Sequence, residues 1–175
     1  MSLLRRLSCT LTITLLAVFS SPSAAACPSP AWTQAYNGFC YLLVNNTWPW
    51  YVAETSCDQV AAPGARLVSV HDVQLNAFLA ETVAGGGSAW LGARRATTYA
   101  EWAWTDGTPF DFSYWYAGEP SGGGELCAVA NCGRVGEWCA RSCHDFDCVF
   151  ICEIEDGGAP TTPPPPTPTG STAGP

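Results

Sequence analysis

Lysine is absent from this chain, and acidic residues outnumber basic ones. The 175 residues include 15 aspartates and glutamates against seven cations, all of them arginine, which gives a formal net charge of −8. If Arg5 and Arg6 leave with an export signal, the charge falls by two more, to −10. A chain this acidic repels phosphate groups and anionic lipid, so nucleic acid and anionic membranes are excluded as favoured partners. Divalent cations stay compatible with it.

Long hydrophobic runs are scarce as well. The one candidate, residues 11–19, is shorter than the roughly 20 apolar residues that a membrane helix needs, so we predict no membrane span. Arg5 and Arg6 precede this run, and Ser23–Ala26 supplies small residues for cleavage. This order is typical of a signal peptide. We therefore predict that residues 1–26 are a signal peptide and that the mature protein is secreted and extracellular.

The other end of the chain is too simple in composition to form a core. Residues 157–175 consist mostly of proline, threonine and glycine, which is typical of an extended linker or stalk. The residues between the two ends, 27–156, have the length of one ordinary domain.

Cysteine, in contrast, is abundant. Ten are present, and nine remain once Cys9 leaves with the signal peptide. In an exported chain such residues are first interpreted as a disulfide framework. The spacings Cys139-x3-Cys143 and Cys148-x3-Cys152 leave a zinc site as the alternative. Because nine is an odd number, we expect one thiol without an intramolecular partner.

Local patterns predict two helices early in the domain. After Trp50, the residues Ala53, Cys57 and Val60 recur at helical spacing and should face the core. Asp72 is a residue type that caps helices, and we expect a second helix to begin there. The predicted buried face of this second helix consists of Leu75, Phe78, Leu79, Thr82 and Val83.

Short strands are predicted for the rest of the domain, at 38–44, 67–70, 89–93 and 102–104. Two helices with short antiparallel strands and a long, disulfide-pinned loop region over 115–153 define an α+β fold. Asn45 begins an Asn-Asn-Thr sequon and is a predicted glycosylation site. His71 and His144 are predicted surface or cap residues. Paired carboxylates raise the alternative of a glycosidase, but no water-excluding pocket is legible in the sequence, so we predict that the protein is not an enzyme.

The order of the motifs resembles the C-type lectin-like domain family, in its long form with an N-terminal hairpin, over residues 27–155. The segments that carry the resemblance are Cys27…Trp32…Cys40-Tyr41, Cys57, Trp90-Leu91-Gly92-Ala93, Trp104-Thr105-Asp106-Gly107, Trp115…Gly118-Glu119-Pro120, Cys127, Trp138, Cys143 and Phe150-Ile151-Cys152-Glu153. The resemblance implies the C-type lectin-like fold and a role in recognition.

The resemblance also implies three disulfides, Cys27–Cys40, Cys57–Cys152 and Cys127–Cys143. Cys132, Cys139 and Cys148 have no partner in the family pattern. We expect one extra bridge among these three, with Cys148 joined to either Cys132 or Cys139.

In sugar-binding members, calcium is held by a Glu-Pro-Asn motif, a Glu just before the next cysteine, and a Trp-Asn-Asp motif. The same ligands bind two sugar hydroxyls, and calcium needs 6–8 oxygen ligands. Here Glu119 and Pro120 match, Ser121 replaces Asn, and Glu125 matches the second carboxylate. The resemblance thus implies these four as carbohydrate-binding residues of the mannose type, and Glu119, Ser121 and Glu125 as metal ligands. The Glu-Pro bond is cis in such members.

The third motif departs from the pattern. Trp138 matches, but Cys139 and Ala140 stand where Asn and Asp should be, so two oxygen donors are missing. Asp145 and Asp147 are the nearest candidates to replace them. A calcium cofactor is therefore expected only at an incomplete site.

Two functions stay open. The first is binding of a glycan or glycoprotein, either with calcium or in a calcium-free mode that uses exposed aromatic residues such as Tyr114 or Tyr116. The second is calcium-independent binding of a protein or another surface by the same fold.

Overall fold

The computed structural model describes residues 27–34 and 37–157. The predicted signal peptide (1–26), and all but the first residue of the predicted linker (157–175), lie outside this part of the chain. Within the described ranges, no helix combines the length and the apolar character that crossing a membrane requires. Asn45, the predicted glycosylation site, is exposed just after a strand, and its modification stays a prediction.

Both helices lie in the first half of the described residues, and five consecutive strands follow them. The helices are α1 (Trp50–Ser56) and α2 (Val73–Phe78). The strands are β1 (Thr33–Gln34), β2 (Phe39–Val44), β3 (Arg66–Leu67), β4 (Ala89–Arg95), β5 (Trp102–Trp104), β6 (Cys127–Ala130), β7 (Trp138–Arg141) and β8 (Val149–Glu155). The α+β fold predicted from the sequence is confirmed.

Each helix continues as one π-helical turn, Cys57–Ala61 after α1 and Leu79–Val83 after α2. Hydrogen bonds from residue i+5 to residue i widen such a turn and rotate the side chains that follow. Val60 is 51% exposed and Thr82 is exposed, so the prediction that they face the core is wrong. The positions that are buried as predicted are Ala53, Cys57, Leu75 and Leu79. The predicted cap is confirmed, because an Asp72 oxygen accepts the Leu75 N–H at 2.7 Å.

One mixed sheet forms the centre of the domain, with strand order β1-β2-β8-β4-β6-β7. β3 pairs with β8, and β5 pairs with β4. Most pairs are antiparallel as predicted, but β4 and β8 run parallel over Ala89↔Val149 and Trp90↔Phe150. Parallel neighbours need a long connection, and the chain between these two strands supplies it.

The stretch predicted as a loop over 115–153 is more ordered than expected, because it contains the antiparallel β6–β7 hairpin and strand β8. All four residues of β6 are buried. This short apolar strand lies inside the sheet, between β4 and β7. The longest irregular part is the one before β6, and it carries the predicted site residues.

Apolar side chains pack on both faces of the sheet. Trp90, Trp104 and Trp138 are buried, and Trp102 is half-buried. Gly92 in β4 lies so close to β3 that a Cβ atom there would be 2.9 Å from the Leu67 carbonyl oxygen. The close contact between the two strands explains why glycine follows Trp90-Leu91 in the motif.

Four disulfides connect these elements. Cys27–Cys40 closes the N-terminal hairpin, Cys57–Cys152 joins the end of α1 to β8, and Cys127–Cys143 joins β6 to the segment after β7. The fourth is Cys132–Cys139. Because these bonds consume Cys139, Cys143 and Cys152, the zinc alternative has lost its ligands.

The expectation that Cys148 takes part in the extra bridge is wrong. Cys132 lies two residues after the end of β6 and Cys139 lies in β7, so the hairpin brings these two together. Cys148 stays a buried free thiol. Burial, with Asp147 beside it, raises the pKa of this thiol to about 12, and a protonated buried thiol is inert toward exchange.

Candidate binding site

The candidate site lies in the irregular segment between β5 and β6, which is anchored to β7 near its middle. The Trp138 N–H donates to the Tyr114 carbonyl, and the Tyr116 N–H donates to the Trp138 carbonyl, both at 2.8 Å. The Glu119 N–H then closes a tight turn on the Tyr116 carbonyl at 2.9 Å. The peptide bond between Glu119 and Pro120 is cis.

Glu119 is fixed by two backbone N–H groups. Its Oε2 accepts from Ser121 at 2.9 Å and from Ala140 of β7 at 3.0 Å. The family pattern has a residue with a calcium-binding side-chain oxygen at the position of Ala140. Here the Ala140 backbone N–H donates a hydrogen bond to the Glu119 carboxylate instead. The carboxylate is therefore held against the hairpin by the chain itself.

Ser121 connects the two predicted carboxylates. Its hydroxyl donates to Oε2 of Glu125, and its backbone N–H donates to Glu119. All four residues predicted from the resemblance, Glu119, Pro120, Ser121 and Glu125, are half-buried. We call these four residues the carboxylate rim.

Arg95, at the end of β4, holds the rim segment in place through its backbone carbonyls. The sequence analysis did not predict this role. Its guanidinium donates to the Ser121 carbonyl at 2.6 Å and to the Glu125 carbonyl at 2.9 and 3.2 Å. It lies over the Trp102 ring, 5.1 Å from the centroid, and the residue is only 7% exposed. The sequence does contain a hint of this role, because Arg94 and Arg95 directly follow the predicted strand 89–93. Successive strand residues point to opposite faces, so one of the two arginines should point inward, but the pattern does not say which one.

The residues present do not fit a calcium ion. Calcium takes 6–8 oxygen ligands, whereas Cys139 is spent in a disulfide and Ala140 has no side-chain oxygen. Asp147 accepts from the Cys148 thiol. In the part of the chain that the structure describes, no three His, Cys, Asp or Glu side chains come close enough to hold a metal. Asp145 and Asp147 therefore do not restore the missing pair.

The two tyrosines considered for a calcium-free mode are both partly exposed, Tyr114 at 44% and Tyr116 at 41%. Phe112 stacks parallel to Tyr114 with ring centroids 6.4 Å apart. Tyr116 covers Gly133 so closely that a Cβ atom there would be 2.6 Å from its ring. Each ring is thus supported on one side.

A second polar cluster lies where β3 meets β8. Glu153 is 3% exposed, and its Oε1 accepts from Arg66 Nε and from the Ser69 N–H, each at 3.2 Å. Burial raises the pKa of Glu153 to about 8, although Arg66 opposes this shift. Burial also acts to raise the pKa of Asp106 nearby, but hydrogen bonds from Thr108 and Ser69 hold it below its usual value.

We expect the domain to lose stability as the pH rises from 4.5 to about 8, the ordinary and folded pKa values of Glu153. The folded state holds a proton there that the unfolded chain has released. Its contribution is therefore complete below 4.5 and is lost as the pH passes 8. The free energy of unfolding should fall by about 1 kcal/mol or more across this window. Urea unfolding at a series of pH values measures it.

The Glu153→Gln variant is the control, because its neutral amide cannot titrate. Its unfolding free energy should be nearly constant over the same window. Asp106 acts at the acidic end, where its contribution is lost as the pH falls through its folded pKa. A wild-type protein that becomes more stable between pH 4.5 and 8 would contradict this account.

Comparison with known proteins places the chain in a family. The fold and the rim segment define a C-type lectin-like recognition domain. The family model described as "Lectin C-type domain" matches residues 46–154, more than half of the chain. Lectin BRA-3 of Megabalanus rosa is 31% identical over 157 residues, which cover 85% of this chain and 92% of that protein. The chain belongs to the C-type lectin domain family.

Solved structures agree with this assignment. The C-type carbohydrate-recognition domain of cow CD23, determined in the presence of GlcNAc2Man3 oligosaccharide, superposes with a TM-score of 0.64 at 28% identity, covering 75% of this chain and 97% of that one. A calcium-independent type II antifreeze protein superposes with a TM-score of 0.67 at 25% identity, covering 77% and 98%.

Proposed function

We propose that this chain is an extracellular recognition module that binds carbohydrate at the carboxylate rim without requiring calcium. The binding domain is 27–156, exported by residues 1–26 and carried on the linker 157–175. Four disulfides among the described residues support an oxidising location outside the cell.

The observation that carries the proposal is the unused oxygen on each rim carboxylate. Within the described chain, hydrogen bonds reach only Oε2 of Glu119 and only Oε2 of Glu125. Each Oε1 is therefore a positioned acceptor with no donor. A sugar hydroxyl can supply that donor, and hydrogen bonds to charged groups contribute about 1.5–3 kcal/mol.

The calcium-free part of the proposal rests on what holds the rim together. In sugar-binding members the calcium ion is held in this loop by the residues that also bind the sugar. Here Arg95 binds the loop carbonyls, the Ala140 N–H binds Glu119, and Cys132–Cys139 closes the hairpin beside them. These contacts support a rim that is already in shape before any ligand arrives, which lowers the cost of binding.

The ligand class that we expect first is a mannose-type glycan. The pair Glu119-Pro120 matches the mannose-type motif, and the related cow CD23 domain was crystallised with a mannose-containing oligosaccharide. The relatives that carry the name lectin support carbohydrate as the general class.

A glycan array with and without chelator tests this function. We expect binding to mannose-type glycans that EDTA leaves unchanged, and no heat from CaCl₂ in isothermal titration. Glu119→Gln and Glu125→Gln should each weaken glycan binding about tenfold, since each removes a charged acceptor. Glu81→Gln, on an exposed carboxylate after α2, is the matched control and should change nothing.

The outcomes separate the two parts of the proposal. Binding that EDTA abolishes would show that calcium completes the rim and that the calcium-free part is wrong. Binding that survives in both rim variants would move the glycan site elsewhere on the domain.

A second candidate function is calcium-independent binding of a protein or another non-glycan surface. The observation that favours it is the similarity to a calcium-independent antifreeze protein, which has this fold and a different task. An array on which the wild-type domain binds no glycan, with or without calcium, would favour this second function over the first.

A further inference from the structure

Apart from the carboxylate rim, the domain has a cleft that plays no role in the proposed function. It has a volume of about 570 Å³ and opens between α1 and the β4–β5 pair. The residues that matter for its chemistry are Trp50, Tyr51, Glu54, Arg94, Glu101 and Ala103. We call it the α1–β5 cleft. Its volume is within the range of about 300–1,000 Å³ that small-molecule sites have in proteins.

The cleft and the carboxylate rim use opposite sides of β4. Successive strand residues point to opposite faces of a sheet. Arg95 accordingly lies over Trp102 and reaches the rim, whereas Arg94 lies over Trp50, 5.8 Å from its ring centroid, and faces the cleft. The two sites therefore share no side chain and can be changed separately.

An aromatic surface is held in place along α1. Trp50 is 1% exposed and donates its indole N–H to the Leu91 carbonyl at 2.7 Å. Tyr51 is 40% exposed and meets Trp50 edge-on at 5.5 Å, while His144 packs against it at 5.6 Å. Its ring is thus an exposed apolar surface in a fixed orientation.

Three charged groups around this surface have no polar partner. Glu54 on α1, Arg94 on β4 and Glu101 just before β5 form no hydrogen bond or ion pair with any part of the chain that the structure describes. Arg94 makes only its contact with the Trp50 ring. Ala103, the cross-strand partner of Arg94, also lines the cleft, and its small side chain takes up little of the space.

These groups select the chemistry of a ligand. The two carboxylates would repel an anion, and the guanidinium would repel a cation. A purely apolar molecule would remove water from three charges without replacing its hydrogen bonds, which is costly. Sugar hydroxyls both donate and accept, so they satisfy carboxylates and a guanidinium together, while the apolar face of a pyranose ring packs on tyrosine.

We infer that the α1–β5 cleft is a second carbohydrate site, which binds a short neutral oligosaccharide with one ring on Tyr51 and hydroxyls on Glu54, Glu101 and Arg94. The site needs neither calcium nor the carboxylate rim. A second site on one domain raises the avidity for glycans that present many sugar units, because the second contact becomes intramolecular.

Chemical-shift titration of the full chain, with its disulfides formed, tests the inference. The probes are neutral mannotriose and triacetylchitotriose, and a sulfated disaccharide serves as the anionic comparison. At least one neutral probe should shift the amide signals of residues 50–54 and 101–105. Tyr51→Ala and Glu101→Gln should each weaken this binding about tenfold.

Two further variants make the result decisive. Ala103→Phe fills the cleft from an exposed strand position and should abolish the shifts at 50–54, while its aromatic side chain suits a strand. Glu119→Gln changes only the rim and should leave these shifts intact, so failure at the rim and failure at the cleft are distinguishable. The inference is overturned if neither neutral probe shifts these amides, if only the sulfated probe does, or if Ala103→Phe leaves the shifts in place.

Discussion

Replacing Cys57 and Cys152 together by alanine is expected to unfold the domain at room temperature. The two residues are 95 positions apart, both are fully buried, and their bond joins the end of α1 to the central strand β8. Closing a loop of this size stabilises by about 4–5 kcal/mol in the chain-entropy model. A domain has only about 5–15 kcal/mol of stability in total, so this loss removes between roughly a third and all of it. The two fully buried positions lose packing as well.

Urea unfolding followed by circular dichroism measures the effect. The matched control is the double replacement of Cys132 and Cys139 by serine, whose loop spans only 7 positions and which should cost about 2 kcal/mol on the same model. The control domain should stay folded. Equal midpoints for the Cys57–Cys152 variant and the wild type would contradict the view that this bond holds the helix to the sheet.

Replacing Arg95 by methionine is expected to destabilise the domain by about 2–4 kcal/mol, because it leaves the Ser121 and Glu125 carbonyls without their donors. The same change should release the segment that carries Glu119 and Glu125. Glycan binding at the carboxylate rim should then be lost even though no rim residue has changed. Urea unfolding and the glycan array measure the two effects on one preparation.

Two variants at the same strand end sharpen this prediction. Arg95→Lys keeps the charge but lacks the planar fork that reaches two carbonyls at once, so it should recover only part of the stability. Arg94→Met removes the same type of side chain from the exposed face and should change stability by less than about 0.5 kcal/mol. Full stability in Arg95→Met would show that the rim is organised by something other than this guanidinium.

Structure and sequence agree best where the signal is local. Asp72 caps α2 as predicted, since a carboxylate one turn before an apolar helical face has a backbone N–H within reach. The rim residues Glu119, Ser121 and Glu125 were assigned through the order of motifs, and the structure brings their side chains into one hydrogen-bonded group. Their role as ligands for sugar remains a proposal.

The disagreements arise where geometry departs from a regular period. Val60 and Thr82 follow the 3.6-residue period on paper, but each lies in a π-helical turn that moves it out of the core. Cys132 pairs with Cys139 because a hairpin turn places them together, and no spacing rule separates that pairing from one with Cys148. The β6–β7 hairpin was not recognised from the sequence, because it lies in a region rich in glycine.

The sequence by itself determined the class of this protein: an acidic, cysteine-rich α+β domain whose motifs occur in the order of the C-type lectin-like family. Only the tertiary structure decided that Arg95 holds the rim, that Asp145 and Asp147 do not complete a calcium site, and that a cleft opens between α1 and the β4–β5 pair. The physical reason is the range of the interactions. Caps, turns and apolar periods are set by neighbours within a few residues, whereas these three features depend on groups that meet only after the sheet has formed.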